Sequence, residues 1–153
     1  MPLSTSIEVH RFFHIWDYVT DDKAQITALL HRYGAVLSSH SMIDLLNIYT
    51  IDGVIMAPGF TPATGQDALK AAYERIFSTI KLEIEFSIDE IVVTGDKWAF
   101  ARTTAEGTKF WLKRGTQEEH QNQELFVLRK EAKDGVQEWR IARYAFSSMK
   151  PVV

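Results

Sequence analysis

Cysteine is absent from the 153 residues. That removes disulfides, thiol nucleophiles, iron–sulfur ligation and zinc knuckles together, and leaves the redox compartment undetermined. Long apolar runs are also missing, none approaching the roughly 18 residues that a bilayer-spanning helix needs. The opening MPLSTSIEVHRFFHIW lacks a basic region followed by an apolar stretch and a small-residue cleavage site, so the chain reads as cytoplasmic. Seventeen basic against twenty acidic side chains give a net charge of -3 with no basic run, so the footprint that tracks a phosphate backbone is lacking. Neither nucleic acid nor a membrane is an expected partner. What is present, 46% apolar and 24% charged residues, is the balance of one domain large enough to enclose a pocket beside its core.

Periodicity then divides the chain. In DDKAQITALLHRYGAVLSSH, Ile26, Leu29, Leu30, Tyr33 and Leu37 recur at helical spacing behind an acidic start, and Asp22 with Gln25 resembles a capping box. Ser41 with Asp44 repeats the device before a short second helix, MIDLLNIY. A third helix is expected after a Thr64/Asp67 cap, with Leu69, Ala72, Tyr73, Ile76, Phe77 and Ile80 as its apolar stripe. Between these helices DGVIMAPGFTPATG suggests a short strand and a sharp Pro/Gly turn forming a lip. From Leu82 the period becomes two, and Gly95-Asp96, Arg114-Gly115 and Asp134-Gly135 punctuate a meander of antiparallel strands. Helices first and a long meander afterwards predict an α+β fold, a cone in which a strongly curved, mostly antiparallel sheet wraps around three helices. The aromatic segment of residues 1–20, IEVHRFFHIWDYV at its centre, reads as an N-terminal extension that adds to the core, closes the pocket mouth or crosses a dimer partner.

Three stretches, IDGVIMAPGFTPATGQDALKAAYERIF, GDKWAFARTTAEGT and ELFVLRKEAKDGVQEWRIARYAF, resemble the successive signatures of the SnoaL-like group in the nuclear transport factor 2-like superfamily. The resemblance runs from about Asp21 to Phe146, which sets the domain at residues 21–150. It implies the conical fold, a pocket between sheet and helices, a small hydrophobic ligand and a homodimer formed through the sheet. The superfamily includes isomerases, polyketide cyclases, epoxide hydrolases and dehydratases as well as many members with no established activity, so fold does not settle function. Ketosteroid isomerases of the superfamily carry an aspartate base around the first strand. This chain reads Val54, Ile55, Met56, Ala57, Pro58 there, and that chemistry is set aside.

The site reading centres on the last hairpin. A two-residue Asp134-Gly135 turn places Lys133 opposite Val136 and, in an unbroken ladder, puts Glu124 diagonal to Arg143 on an apolar face with Phe126. Glu124 and Arg143 are accordingly the expected catalytic pair, the acid as acid/base and the guanidinium as its orienter or an oxyanion partner. On the preceding strand either Trp98, Phe100, Arg102, Thr104 and Glu106 or the smaller alternate set faces the helices. A bulge at Asp89-Glu90 is inferred from the parity shift between Ile88 and Ile91, and it favours the larger set, bringing Arg102 and Glu106 to the pocket. Tyr33, Tyr49, Met56, Tyr73, Phe77 and Phe126 complete the expected ligand-binding set. His10 and His14 have the spacing of helical metal ligands, but no third ligand or adjoining acid is evident, and neither metal nor cofactor is expected. Of the remaining histidines, His40 borders the pocket and His120 lies in charged TQEEHQNQ near a loop. Two functions fit: an isomerase, cyclase or hydrolase working by acid/base chemistry on a polyketide-like or terpenoid-like substrate, or a non-catalytic dimeric binding domain.

Overall fold

In the computed structural model the backbone is described for residues 5–150 and the side chains for residues 21–150. Helix α1 spans Thr5–Ser39 and α2 Met42–Ile48, followed by strands β1 (Tyr49–Met56) and β2 (Ala63–Thr64), helix α3 (Gln66–Thr79), and strands β3 (Ile80–Val93), β4 (Trp98–Trp111), β5 (Thr116–Lys133) and β6 (Val136–Ser148). The six strands form one sheet in the order β2-β1-β6-β5-β4-β3. Only β1 and β6 run parallel among these neighbours, so the sheet is mixed and open, and it curves over the three helices as the expected cone. No helix among the described residues is long and apolar enough to cross a membrane.

The apolar stripe of α1 behaves as its spacing predicts: Ile26, Leu29, Leu30 and Tyr33 are all buried against the inner face of the sheet. Its expected start does not. The helix runs straight through Asp22, whose carboxylate accepts from Trp139 Nε1 at 2.9 Å and from Lys130 Nζ at 2.7 Å, while Gln25 bonds Asp21 instead. Tertiary partners more than a hundred residues away thus take the acid that a local cap would have used. At α2 the Ser41 cap is present, its hydroxyl accepting from the Asp44 amide. At α3 the cap position is Gly65 with φ 88° and no side-chain cap bond, because Thr64 is held opposite Val54 in the β1–β2 ladder. The side chains of the aromatic extension, with His10 and His14, lie outside the described residues.

Two register details decide which side chains face inward. The Asp134-Gly135 turn forms with φ 52° and 78°, as a primed two-residue hairpin requires, and Lys133 pairs with Val136. The ladder then holds to Leu128 opposite Ile141, but Val127 pairs with Arg143, leaving Ala142 as a bulge. One extra residue turns every later β6 side chain to the other face: Tyr144 and Phe146 go in, Arg143 goes out. In the β3–β4 hairpin the expected bulge is present, between Ile88 and Glu90. The connection, however, is three residues long, Gly95 to Lys97, because Val93 pairs with Ala99 and the Thr94 amide donates to the Trp98 carbonyl. That added residue puts Ala99, Ala101, Thr103 and Ala105 inside, and the larger alternate set outside. The small inner residues leave room for Phe126 and Tyr144, which stack at 4.4 Å.

Candidate functional site

Between the inner face of the sheet and the helices lies a cavity of about 410 Å³, within the range of small-molecule sites. The helices contribute Tyr33 and Leu37 from α1 and Ala72, Tyr73, Arg75 and Ile76 from α3, and the lip after β1 contributes Ala57, Pro58, Phe60 and Thr61. From the sheet come Leu82 and Ile84, Ala105, Lys109 and Trp111, then His120, Asn122 and Glu124 in one row along β5, and Tyr144 and Phe146 from β6. Apolar surface predominates, with polar atoms gathered at a few points.

Glu124 is the main one. It is 6% exposed, with Tyr144 Oη donating to Oε2 at 2.5 Å and Thr103 Oγ1 donating to Oε1 at 3.1 Å. The expected Glu124–Arg143 pair does not form. The Ala142 bulge sends the guanidinium outward, where it donates to the carbonyls of Asp52 and Ala142. With no cation bonded to it among the described residues, burial pushes the Glu124 carboxyl above its ordinary value. The Tyr144 and Thr103 hydroxyls pull it part of the way back, and Asp89 adds a small push in the same direction as burial. A carboxyl so placed holds its proton to higher pH than an ion-paired one.

A second polar element comes from the helices and β1. Tyr73 Oη lies 2.8 Å from Tyr33 Oη and 2.7 Å from Tyr49 Oη. Burial holds all three phenols well above their ordinary value, so they remain protonated. Three hydroxyl hydrogens serve two bonds, and one is left over for another acceptor. Tyr33 and Tyr73 line the cavity, whereas Tyr49 sits behind them. At the far end of the β5 row, His120 is 7% exposed and its pKa is lowered to about 4, chiefly by burial, so the imidazole is neutral at pH 7. Along the strand it stands about 13 Å from Glu124.

The other expected residues are distributed differently. Arg102 lies on the outer face, its Nε 2.5 Å from Glu90, and Glu106 is exposed on the same face; the three-residue connection accounts for both. Met56 points outward, 40% exposed. Phe126 is fully buried behind the lining, edge-on to Tyr33 at 5.4 Å. Phe77 stacks on His40 at 4.3 Å, clear of the lining, so neither ring of that pair borders the cavity. Strand β1 presents no acid inward, since Asp52 faces out to Arg129. Among the described residues no cluster of His, Cys, Asp and Glu could hold a metal ion. Reading the sequence missed His120, Asn122 and the Tyr144 bond. His120 and Asn122 share Glu124's parity, a signal visible once β5 is extended back to Thr116.

Residues 30–144 match the SnoaL-like domain family. Among solved structures, a ketosteroid isomerase-like protein from Erwinia carotovora atroseptica SCRI1043 is 35% identical with a TM-score of 0.79, over 84% of this chain and 96% of that one. Two from Novosphingobium aromaticivorans share the fold at lower identity. A candidate scytalone dehydratase has 20% identity and a TM-score of 0.74, over 88% of each chain. An NTF2-like protein with a cystatin-like fold has 19% identity and a TM-score of 0.69, over 92% of this chain and 90% of that one. No curated protein sequence matches. The matched span runs from Leu30 in α1 to Tyr144 in β6, and the chain belongs to the SnoaL-like domain family.

Proposed function

We propose that the cavity binds a small, mostly apolar molecule bearing at least one oxygen, and that Glu124 moves a proton to or from it. The observation that carries this reading is a carboxyl held by two hydroxyls, with no cation bonded to it among the described residues, at the wall of a mostly apolar cavity. Protonated, Glu124 can donate to a carbonyl or ether oxygen; ionised, it can accept a proton from carbon or water. The spare hydrogen of the tyrosine trio offers the same molecule a second donor, which stabilises charge developing on oxygen. These roles suit an isomerase, cyclase or hydrolase that works with side chains alone, on a polyketide-like or terpenoid-like skeleton. Arg143 has no part in the proposal.

Partnership and location follow the same reading: a cytoplasmic homodimer joined through the outer face of the sheet. There Trp98 and Leu125 stand 43% and 45% exposed beside the Val92, Phe100, Val127 row. A second reading, ligand binding without chemistry, is favoured by one fact: Glu124 is the single acid in the lining among the described residues.

Proton transfer can be tested before the natural substrate is known. 2-Tetralone, a compact ketone with acidic hydrogens beside its carbonyl, incubated in deuterium oxide, should exchange those hydrogens faster with the protein than without. Glu124→Gln should lower that acceleration by about 10²-fold or more. Binding of 2-tetralone with no accelerated exchange supports the second reading, and acceleration unchanged in Glu124→Gln removes Glu124 from the chemistry.

A further inference from the structure

The chain carries a net charge of -3, yet among the described residues its cavity is lined by two cations, Arg75 and Lys109, against one acid, Glu124. That acid is buried and bound by hydroxyls, so it offsets little of the positive charge. Lys109 is partly compensated by Glu118 at 3.4 Å. Arg75 has no carboxylate within ion-pair distance among the described residues. Its guanidinium instead lies over the exposed ring of Phe60, 4.2 Å from the centroid, on the lip of the cavity.

The two cations belong to one rim. Thr79 Oγ1 donates to the Arg75 carbonyl at 2.6 Å, and the Leu112 amide donates to the Thr79 carbonyl at 3.1 Å. The end of α3 is thereby tied to the β4–β5 hairpin. In that hairpin Lys109 and Arg114 both approach the ring of Trp111, at 5.2 and 5.0 Å, and Trp111 lines the cavity. The rim therefore pairs positive charge with aromatic surface on both sides. The same field is felt at His120: burial is the main cause of its lowered pKa, and the charges of Lys109 and Lys150 act in the same direction, opposed by Glu118.

We infer that the molecule this cavity takes is an organic anion, an apolar body carrying one terminal carboxylate that sits at the rim against Arg75 and Lys109. The inference rests on the cavity being the ligand site. A guanidinium can hold a carboxylate through two parallel hydrogen bonds, and the flanking Phe60 and Trp111 rings shield that pair from water more than an open surface would. An uncharged ligand of the same shape leaves Arg75 with its ring contact alone. The deep end, with Glu124 and the tyrosine hydroxyls, then meets the opposite end of the molecule.

2-Naphthoate and 2-naphthamide share one skeleton and differ in charge, so their binding by titration calorimetry isolates the rim. The protein should bind the carboxylate about tenfold more tightly than the amide, a preference that shrinks between about 50 and 500 mM salt as the charges are screened. Arg75→Gln, at an exposed helical position where Gln is tolerated, should cut the preference several-fold, and Arg75→Gln with Lys109→Gln should abolish it. Equal binding of both probes at low salt, or a preference that survives the double variant, overturns the inference and leaves the cavity reading intact. Binding of neither probe overturns both.

Discussion

The two faces of the β5–β6 hairpin treat charge in opposite ways. Outside, Arg129 sits between Asp52 and Glu131, each 2.5 Å away, and the Asp52 carboxyl is held down at about 2 by the Arg129 hydrogen bonds. Inside, five residues before Arg129 on the same strand, Glu124 has only hydroxyl partners among the described residues, and burial pushes its carboxyl up. The outer acid is fixed in one protonation state across the working pH range and serves to tie β5 to β1. The inner acid has its neutral form favoured by burial, and it is the one that faces a cavity. An ion pair would have favoured the charged form instead.

The contrast can be broken at the aromatic floor beneath Glu124. Phe126→Ala removes the ring that stacks on Tyr144 and meets Tyr33 edge-on, and should lower stability by about 3–5 kcal/mol in chemical denaturation. Tyr73→Phe removes the central hydroxyl of the trio and leaves Tyr33 and Tyr49 without their shared partner. It should cost roughly 1–3 kcal/mol by the same measurement, with a bound ketone partly restoring the loss if the spare hydrogen serves ligands. On the outer face, Arg129→Gln should change stability by less, about 1 kcal/mol or under, and that small change should vanish in high salt.

Two titratable groups of the inner face, His120 and Glu124, respond to pH with opposite signs. The unfolded His120 takes up a proton near 6.5 while the folded one waits until about 4, so its contribution to stability is lost as pH falls across that window. His120→Gln should flatten the thermal stability profile there. Glu124 has the opposite sign to an ion-paired acid: its folded carboxyl binds a proton more tightly than the unfolded one. Wild type should therefore lose stability relative to Glu124→Gln as pH rises from 4.5 through the raised folded value.

Much of the cone was legible because its signals are periodic. The stripe from Ile26 to Leu37, the alternation from Leu82 to Ile88 and the Asp134-Gly135 turn each dictate a local geometry that tertiary packing left unchanged. The site was less legible because it depends on parity, and single-residue insertions reverse parity. The Asp89 bulge could be read from the step between Ile88 and Ile91. The same step separates Ile141 from Tyr144 and Phe146 in β6, where it marks Ala142, yet the basic Arg143 sits at the unbroken position and invites pairing with Glu124. The three-residue Gly95 to Lys97 connection left no comparable trace, since Gly95-Asp96 suits a two-residue turn equally well. Asp22 and Thr64 show a related effect: both have the chemistry of caps, and both are taken by partners that only the folded chain brings near.

A titration of protein labelled with ¹³C at glutamate Cδ, with Glu124→Gln to assign the resonance, measures the protonation behaviour of Glu124 directly. The Glu124 signal should titrate with a midpoint above 4.5, and higher still in Tyr144→Phe, where one stabilising hydroxyl is gone. A midpoint at or below 4.5 in the wild type would mean that the carboxyl is solvated or ion-paired, and the acid/base role argued from its burial would not stand.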